Sequence, residues 1–167
     1  SEAIPNEMSI QKTQKLESLA PKVHELQVAG KRIVLTNGCF DILHPGHIDL
    51  FGRARLLGDV LIVAVNSDES VRKLKGDQRP VFGEKERVEI LAALEMVDFV
   101  CIFEEETPLK MIMEIRPDIL VKGTDWLKNG IVGQAEVESW GGEVIALELM
   151  KGQSTSGIIE RIVSRFT

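Results

Sequence analysis

Short, almost wholly apolar runs alternate along this chain with longer stretches of helical periodicity. Five such runs have the length and the β-branched content of buried strands, at residues 32–37, 60–65, 99–103, 119–122 and 144–147. Strands that alternate with helices predict a parallel sheet, wound right-handedly and covered on both faces. The expected fold is therefore α/β: a Rossmann-like, doubly wound, parallel five-stranded sheet with helices on both faces.

Apolar spacing and residues that begin or end helices mark the segments between these runs. They predict helices at residues 47–57, 84–95, 108–115, 134–140 and 157–166. In the last of these an apolar stripe is expected to face the core; it consists of Ile158, Ile159, Ile162, Val163 and Phe166. Residues 1–30 are expected to form a helical extension ahead of the main domain at residues 31–167, with Pro21 breaking or kinking its helix.

Composition and charge exclude several function classes. The 167 residues are 44% apolar and 28% charged, as expected of one globular domain. The net charge of −6 disfavours nucleic acid and anionic membranes as partners, and no apolar run approaches the roughly 20 residues of a membrane span. Cys39 and Cys101 are too far apart for a metal clip and have apolar neighbours, so we expect reduced thiols in a cytoplasmic protein.

Several catalytic motifs are missing from the sequence. There is no GxGxxG, no GxxxxGK[ST] and no HExxH, which argues against a dinucleotide-binding domain, a P-loop and a zinc protease. Residues 152–157 resemble a serine-hydrolase elbow only superficially, because the spacing fails and no strand directly precedes them.

The strongest functional signal follows the first predicted strand. Residues 36–47 read TNGCFDILHPGH and run into a helix, at the edge of a parallel sheet where ligands bind. Gly46 allows close backbone approach, and His47 lies in the first helical turn, where free N–H groups attract anions. His44 and His47 therefore predict an anion site. The alternative is that both histidines only cap the turn.

The HPGH segment, together with Ser154, Thr155 and Ser156 at the start of the last helix, resembles the HxGH nucleotidyltransferases. This superfamily includes the cytidylyltransferases and several adenylyltransferases. With the segments NSD, LKGDQRP, FEEETP, PDILVKGTDW and GQSTSGII, the chain is most similar to the D-glycero-β-D-manno-heptose 1-phosphate adenylyltransferases. The resemblance spans about residues 31–162 and makes residues 31–167 a nucleotidyltransferase domain, either stand-alone or excised from a bifunctional protein.

The resemblance implies transfer of AMP from ATP to the heptose 1-phosphate, giving ADP-heptose and pyrophosphate for the lipopolysaccharide core. ATP would be the co-substrate and Mg²⁺ would bridge its phosphates, with no protein metal ligand assigned. Because the acceptor phosphate is already ionised, catalysis needs positioning and charge stabilisation rather than a general base. The implied partners are small molecules, without nucleic acid or membrane, and a homodimer is a further possibility.

Site residues transfer by position. The implied catalytic residues are His44, His47 and Lys75. The implied nucleotide contacts are Asn37, Gly38, Phe40, Gly46, Arg87, Gly123, Asp125, Trp126, Ser154, Thr155 and Ser156. The implied acceptor contacts are Asp41, Arg79 and Lys122.

Each of these assignments has a structural alternative. Asp41 could cap a turn, Trp126 could only pack, and the Ser-Thr-Ser segment could be an ordinary helix cap. Lys73 and Lys75 are expected in a loop with Arg79, where such charges are usually solvated. The alternative for the arginine of the following helix is a surface ion pair, from Arg87 to Glu84 or Glu86.

One difference from the cytidylyltransferases concerns which nucleotide base is recognised. Cytidylyltransferases carry an Arg-Thr pair where this chain has Leu149 and Met150, which favours adenine over cytosine. The competing hypotheses are a cytidylyltransferase or other adenylyltransferase acting on a polyol phosphate or related phosphomonoester, and a catalytically silent nucleotide-binding module.

Overall fold

A computed structural model of the chain describes residues 11–124 and 130–167. Its strands are β1 (Ile33–Gly38), β2 (Val60–Asn66), β3 (Phe99–Phe103), β4 (Ile119–Gly123) and β5 (Glu143–Leu147). They form one sheet in the order β3-β2-β1-β4-β5, and every neighbouring pair is parallel. The predicted parallel five-stranded sheet is confirmed.

Seven helices lie in the described part of the chain: α1 (Leu16–Val28), α2 (Pro45–Arg55), α3 (Asp68–Lys75), α4 (Glu84–Ala92), α5 (Leu109–Ile115), α6 (Gln134–Ser139) and α7 (Thr155–Phe166). The prediction that Lys73 and Lys75 lie in a loop was wrong, because both belong to α3. This helix buries only Ser70 and Val71, so it has no apolar stripe to reveal it. None of the described helices is long and apolar enough to cross a membrane.

Helices cover both faces of the sheet, as expected of a doubly wound fold. One apolar cluster joins β1 and β2 to α2 and α4 through residues such as Val34, Phe51 and Leu91. The other joins the opposite face of the same strands to α1, α5 and α6, with Ile33 and Leu19 among its members. Successive β1 residues enter opposite clusters because side chains alternate along a strand, so both faces of the central strands are buried.

The N-terminal helix is packed against the sheet. Leu19 and Val23 of α1 are fully buried in the second cluster, and the helix continues through Pro21 without breaking. Just before α1, the backbone N–H of Gln14 donates to the carbonyl of Val100 at 3.0 Å. Thr13 forms an isolated bridge with the same strand. The segment before α1 therefore covers part of the outer edge of β3.

The predicted packing of the last helix was wrong. No residue of α7 is buried, and Ile162, Val163 and Phe166 are 50%, 52% and 82% exposed. The apolar stripe exists, but α7 follows the edge strand β5, whose own residues are only half-buried or exposed. Periodicity identifies an apolar face and does not identify what covers it.

Candidate active site

The candidate site lies at a topological switch point. From β1 the chain moves to β2 and β3 on one side of the sheet, and β4 and β5 lie on the other side of β1. In open parallel sheets, ligands bind beyond the carboxyl ends of the strands where the order reverses in this way. The histidine loop, residues 39–44 between β1 and α2, leaves the sheet at this point and contains the first residue of HPGH.

His44 and His47 form a reciprocal cap at the start of α2. The Nδ1 atom of His44 accepts a hydrogen bond from the backbone N–H of Gly46 at 3.1 Å, and Nδ1 of His47 accepts from the N–H of His44 at 3.4 Å. The rings stack with centroids 3.9 Å apart. A Cβ at residue 46 would lie 2.9 Å from the His44 ring, so this contact requires glycine. The capping alternative is realised, and it uses only one nitrogen of each ring.

Burial keeps both histidines neutral. It lowers the pKa of His44, and burial together with the neighbouring His44 lowers the pKa of His47 to about 4. Since Nδ1 of each ring accepts a backbone hydrogen bond, the proton of each neutral imidazole is assigned to Nε2. The site therefore offers two stacked, uncharged Nε2–H donors.

Phe40 packs against the ring of His47. Its backbone is left-handed, with φ of 48°, and its ring contacts His47 and Phe51 edge-on at centroid distances of 5.5 and 5.1 Å. A Cβ at Gly38 would lie 2.9 Å from the Phe40 ring, so residue 38 leaves room for it. Phe40 is only 7% exposed. In this arrangement Phe40 and Gly38 pack the histidine loop, and their nucleotide contacts stay predictions.

A second helix N-terminus meets the first. Ser154 caps α7 by accepting from the N–H of Gly157 at 2.9 Å, as the ordinary-cap alternative requires. The Thr155 hydroxyl donates to the carbonyl of Ile42 at 3.0 Å, which ties α7 to the histidine loop. Ser156 is exposed beside them. In addition, the Cβ of Gln153 lies 3.1 Å from where a Cβ of residue 46 would stand. The positive ends of α2 and α7 therefore converge.

Asp41 is a buried clamp for the segment at residues 79–82. Its carboxylate accepts from the N–H of Val81 at 2.8 Å, the N–H of Phe82 at 2.8 Å and Nε of Arg79 at 2.7 Å. Burial alone would raise the pKa of Asp41, but the hydrogen bonds from Phe82, Val81 and Arg79 outweigh it and hold the pKa below its usual value. The turn-capping alternative is realised, and it orients the guanidinium of Arg79.

Arg87 is also buried, at 1% exposure. Its guanidinium donates to the carbonyls of Cys39 and Asn66 at 2.7 Å and of Phe82 at 2.9 Å. Its ion-pair partner is Asp68, at 2.9 Å, rather than Glu84 or Glu86 as the alternative supposed. The arginine therefore joins three segments of the site instead of lying on the surface.

The two lysines of α3 differ in their surroundings. Lys73 pairs with Glu69 at 3.4 Å on the exposed side of the helix. Burial raises the pKa of the Cys39 thiol, and the nearby charge of Lys75 opposes that rise more than any other. Lys75 is therefore the lysine whose charge acts on the histidine loop.

The remaining predicted residues lie around the ends of β1 and β4. Asn37 Oδ1 is buried and has no hydrogen-bond partner among the described residues. The side chain of Leu149 packs so closely on Gly123 that a Cβ there would lie 2.9 Å from it. Lys122 is half-buried near the end of β4. Asp125 and Trp126 lie outside the described residues.

Sequence reasoning assigned no role to Asn66, Asp68 or Gln153. Asn66 accepts from the Cys39 thiol at 3.7 Å, and Asp68 pairs with Arg87. The available signal was position, because the NSD segment directly follows a central strand at the ligand-binding edge. Gln153 directly precedes the Ser-Thr-Ser segment, but its approach to residue 46 joins segments more than 100 residues apart, which no local pattern reveals.

No cluster of metal-ligating side chains marks this edge among the described residues. Within residues 11–124 and 130–167, no three His, Cys, Asp or Glu side chains are placed to hold a metal ion. Two depressions, of about 680 and 400 Å³, lie at the opposite edge, where the strands begin. The first is lined by the end of α2 and the second by residues just before β1, β4 and β5.

Comparison with known proteins identifies relatives. The Cytidylyltransferase-like family model matches residues 35–161. "Bifunctional protein HldE" of Pelobacter propionicus is 48% identical over 99% of the chain and 34% of its own length. The protein of the same name from Koribacter versatilis is 56% identical over 78% of the chain and 27% of its own length. The chain thus spans about a third of the length of the curated relatives it matches.

A solved structure is also similar. The lipopolysaccharide core biosynthesis protein from Thermoplasma volcanium superposes with a TM-score of 0.61 and is 31% identical. The match covers 74% of this chain and all of that chain.

Proposed function

The chain belongs to the cytidylyltransferase-like family, and we propose that it is an adenylyltransferase that transfers AMP from ATP to D-glycero-β-D-manno-heptose 1-phosphate. The products would be ADP-heptose and pyrophosphate, for the lipopolysaccharide core. The observation that carries the proposal is the convergence of two helix N-termini on the paired histidines at the switch point of the sheet. Resemblance to HldE proteins and to a protein of lipopolysaccharide core biosynthesis supports the choice of acceptor.

The site suits a displacement at the α-phosphorus of ATP. An oxygen of the acceptor phosphate forms the new P–O bond, and the bond from the α-phosphorus to the leaving pyrophosphate breaks. The acceptor is ionised near neutral pH, since a phosphate monoester has a second pKa of about 6. No proton must be removed, so the lack of a nucleophile–base pair in the motifs is consistent with this chemistry.

His44 and His47 would stabilise the charge that develops on the α-phosphate and on pyrophosphate. Their Nε2–H groups would donate hydrogen bonds as neutral groups near neutral pH, because burial lowers the pKa of both rings. The free amides at the start of α7 suit the β- or γ-phosphate, which carries most of the ground-state charge. The α2 end would therefore act on the transition state and the α7 end mainly on ATP binding.

Basic residues around the pair would neutralise the remaining phosphate charge. Arg79 is oriented by Asp41 and suits the acceptor phosphate, while Lys75 suits the departing pyrophosphate and Lys122 the sugar phosphate. Bound Mg²⁺ would supply further charge neutralisation. Asp41 and Asp68 are both engaged by protein donors, so the triphosphate oxygens are the better ligands for that ion.

We further propose that the protein acts in the cytoplasm, where ATP is available. We also propose that it forms a homodimer. The free thiols Cys39 and Cys101 fit a reducing compartment. The dimer follows from the resemblance alone.

A pyrophosphate-release screen tests the reaction. ATP and CTP are each combined with heptose 1-phosphate, other sugar phosphates and polyol phosphates, with a reaction lacking acceptor as control. We expect fastest release with ATP and the heptose 1-phosphate. Equal or faster turnover with CTP would overturn adenylyl transfer, and nucleotide binding without pyrophosphate release from any pair would identify a silent module.

A further inference from the structure

Arg87 is the largest fully buried side chain in the described part of the chain. Burying a guanidinium is unfavourable unless its N–H groups find acceptors. Arg87 has four: the carbonyls of Cys39, Asn66 and Phe82, and a carboxylate oxygen of Asp68. These hydrogen bonds offset the unfavourable free energy of burying the guanidinium. They also join three chain segments at one place.

Each of these segments belongs to the candidate site. Cys39 lies in the loop that leads to HPGH, and Asn66 ends β2 at the ligand-binding edge. Phe82 belongs to the segment that carries Arg79. Phe82 is held from both sides, because its N–H donates to Asp41 and its carbonyl accepts from Arg87.

On the basis of the proposed function, we propose that Arg87 is a positioning residue that fixes the segment of residues 79–82 against the histidine loop. It sets the distance between Arg79, which would bind the acceptor phosphate, and the histidines, which would bind the nucleotide. Arg87 itself touches no substrate. Lysine cannot replace it, because an ammonium group lacks the planar fork that reaches several carbonyls at once.

Another arginine in the molecule provides a matched control. Arg55 also pairs with an aspartate, Asp98 at 3.0 Å, and donates to a carbonyl, that of Gly58 at 2.8 Å. Its contacts lie at the opposite edge of the sheet, and its side chain is 36% exposed. Arg55→Lys therefore removes a similar set of bonds away from the site.

Amide hydrogen exchange tests the positioning directly and needs no substrate. The N–H groups of Val81 and Phe82 donate to Asp41, while those of Leu61 and Ile33 donate to Asp98 and Asp118 at the opposite edge. In Arg87→Lys we expect exchange at residues 81 and 82 to accelerate at least ~10-fold, with less than ~2-fold change at residues 33 and 61. Equal acceleration at all four amides, or none, would overturn the proposal. Asp68→Asn weakens the same hydrogen-bond network while retaining Arg87. It provides a second variant if Arg87→Lys does not fold.

Kinetics test the consequence for the reaction. We expect Arg87→Lys to raise KM for the sugar phosphate about 10-fold and to leave the Kd for ATP within about 2-fold, while Arg55→Lys changes neither. Because Arg87 acts through Arg79, Arg79→Ala should raise KM much less in the Arg87→Lys background than in the wild type. Independent, multiplicative effects of the two substitutions would overturn the coupling. If the wild type released no pyrophosphate, the proposed function would fail, whereas the exchange result would still decide the positioning role.

Discussion

The N-termini of α2 and α7 both present backbone amides suited to an anion, but their surroundings differ. The start of α2 is embedded: His44 and His47 stack on each other, Phe40 packs beneath them, and the preceding loop is braced by Arg87. The start of α7 has a serine cap and one hydrogen bond to that loop, and the helix behind it buries no residue. One helix N-terminus is thus packed into the protein, and the other is largely exposed.

This difference suggests a division of labour. Charge that appears only in the transition state is best met by donors that are already fixed, because reorganisation then costs nothing during the reaction. Charge already present on ATP can be bound by amides at an exposed helix end. Substitutions at α2 should therefore lower rates, and substitutions at α7 should weaken binding.

The largest expected effect is that of His47→Ala. Losing one donor aimed at developing charge lowers kcat by about 10²–10³, roughly 2.7–4 kcal/mol. The Kd for ATP should rise much less. Because His47 also accepts from the His44 amide and contacts Phe40, the melting temperature should fall, so kcat is measured where the variant is folded. Near-normal kcat in the folded fraction would make His47 a structural cap only.

The next largest effect is expected for Asp41→Asn, which weakens the hydrogen bonding between the histidine loop and residues 79–82. An amide has only one acceptor oxygen for the three donors that Asp41 satisfies, and its NH₂ group faces donors instead of acceptors. Breaking such a buried pair should lower the free energy of unfolding by about 3 kcal/mol. The control is Asp49→Asn, which breaks an exposed pair with Arg53 and should cost less than about 0.5 kcal/mol. Equal losses in urea unfolding would contradict the clamp.

Sequence reasoning recovered the parts of the molecule that depend on local pattern. Buried strands are short apolar runs, so the sheet was predicted. HPGH after a strand pointed to the candidate site, and anion binding there stays a prediction. Arg79 and Asp41 are 38 residues apart and Arg87 and Cys39 are 48 apart. A charge says nothing about which distant carbonyl or amide will satisfy it, so the bracing of the loop was accessible only from the structure.

At α7, Thr155→Val removes the hydroxyl that ties the start of the helix to Ile42, so the amides expected to hold the distal phosphate are less well placed. ATP binding should weaken about 2–10-fold, because a neutral hydrogen bond contributes roughly 0.5–1.5 kcal/mol. AMP, which lacks the β- and γ-phosphates, should bind almost normally. Thr155→Ser retains the hydroxyl that donates to Ile42 and serves as the control. Equal losses for ATP and AMP, measured by calorimetric titration, would mean that the segment does not hold a distal phosphate.

The buried histidines also predict a pH dependence of stability. The pKa of His47 is about 4 in the folded protein and 6.5 when unfolded, so only the unfolded chain gains a proton as pH falls below 6.5. The free energy of unfolding should therefore decrease from pH 7.5 to pH 5, with His47 contributing on the order of 1 kcal/mol. Asp41 has a lowered pKa, and its contribution is lost only below about 3.8, outside this range. His47→Asn should flatten the dependence measured by urea unfolding, and an unchanged slope would contradict the burial of the ring.

The smallest expected effect is that of Phe166→Ala on α7, compared with the same change at Phe51 in the core. Phe166 is 82% exposed on α7, whereas Phe51 of α2 is fully buried. Phe51→Ala should lower the free energy of unfolding by about 3–5 kcal/mol, because it removes a ring and leaves a cavity. Phe166→Ala, the same chemical change, should alter it by less than about 0.5 kcal/mol. A loss above ~1 kcal/mol at Phe166 would show that the apolar face of α7 is covered in solution, and the N-terminus of α7 would then be supported as firmly as that of α2.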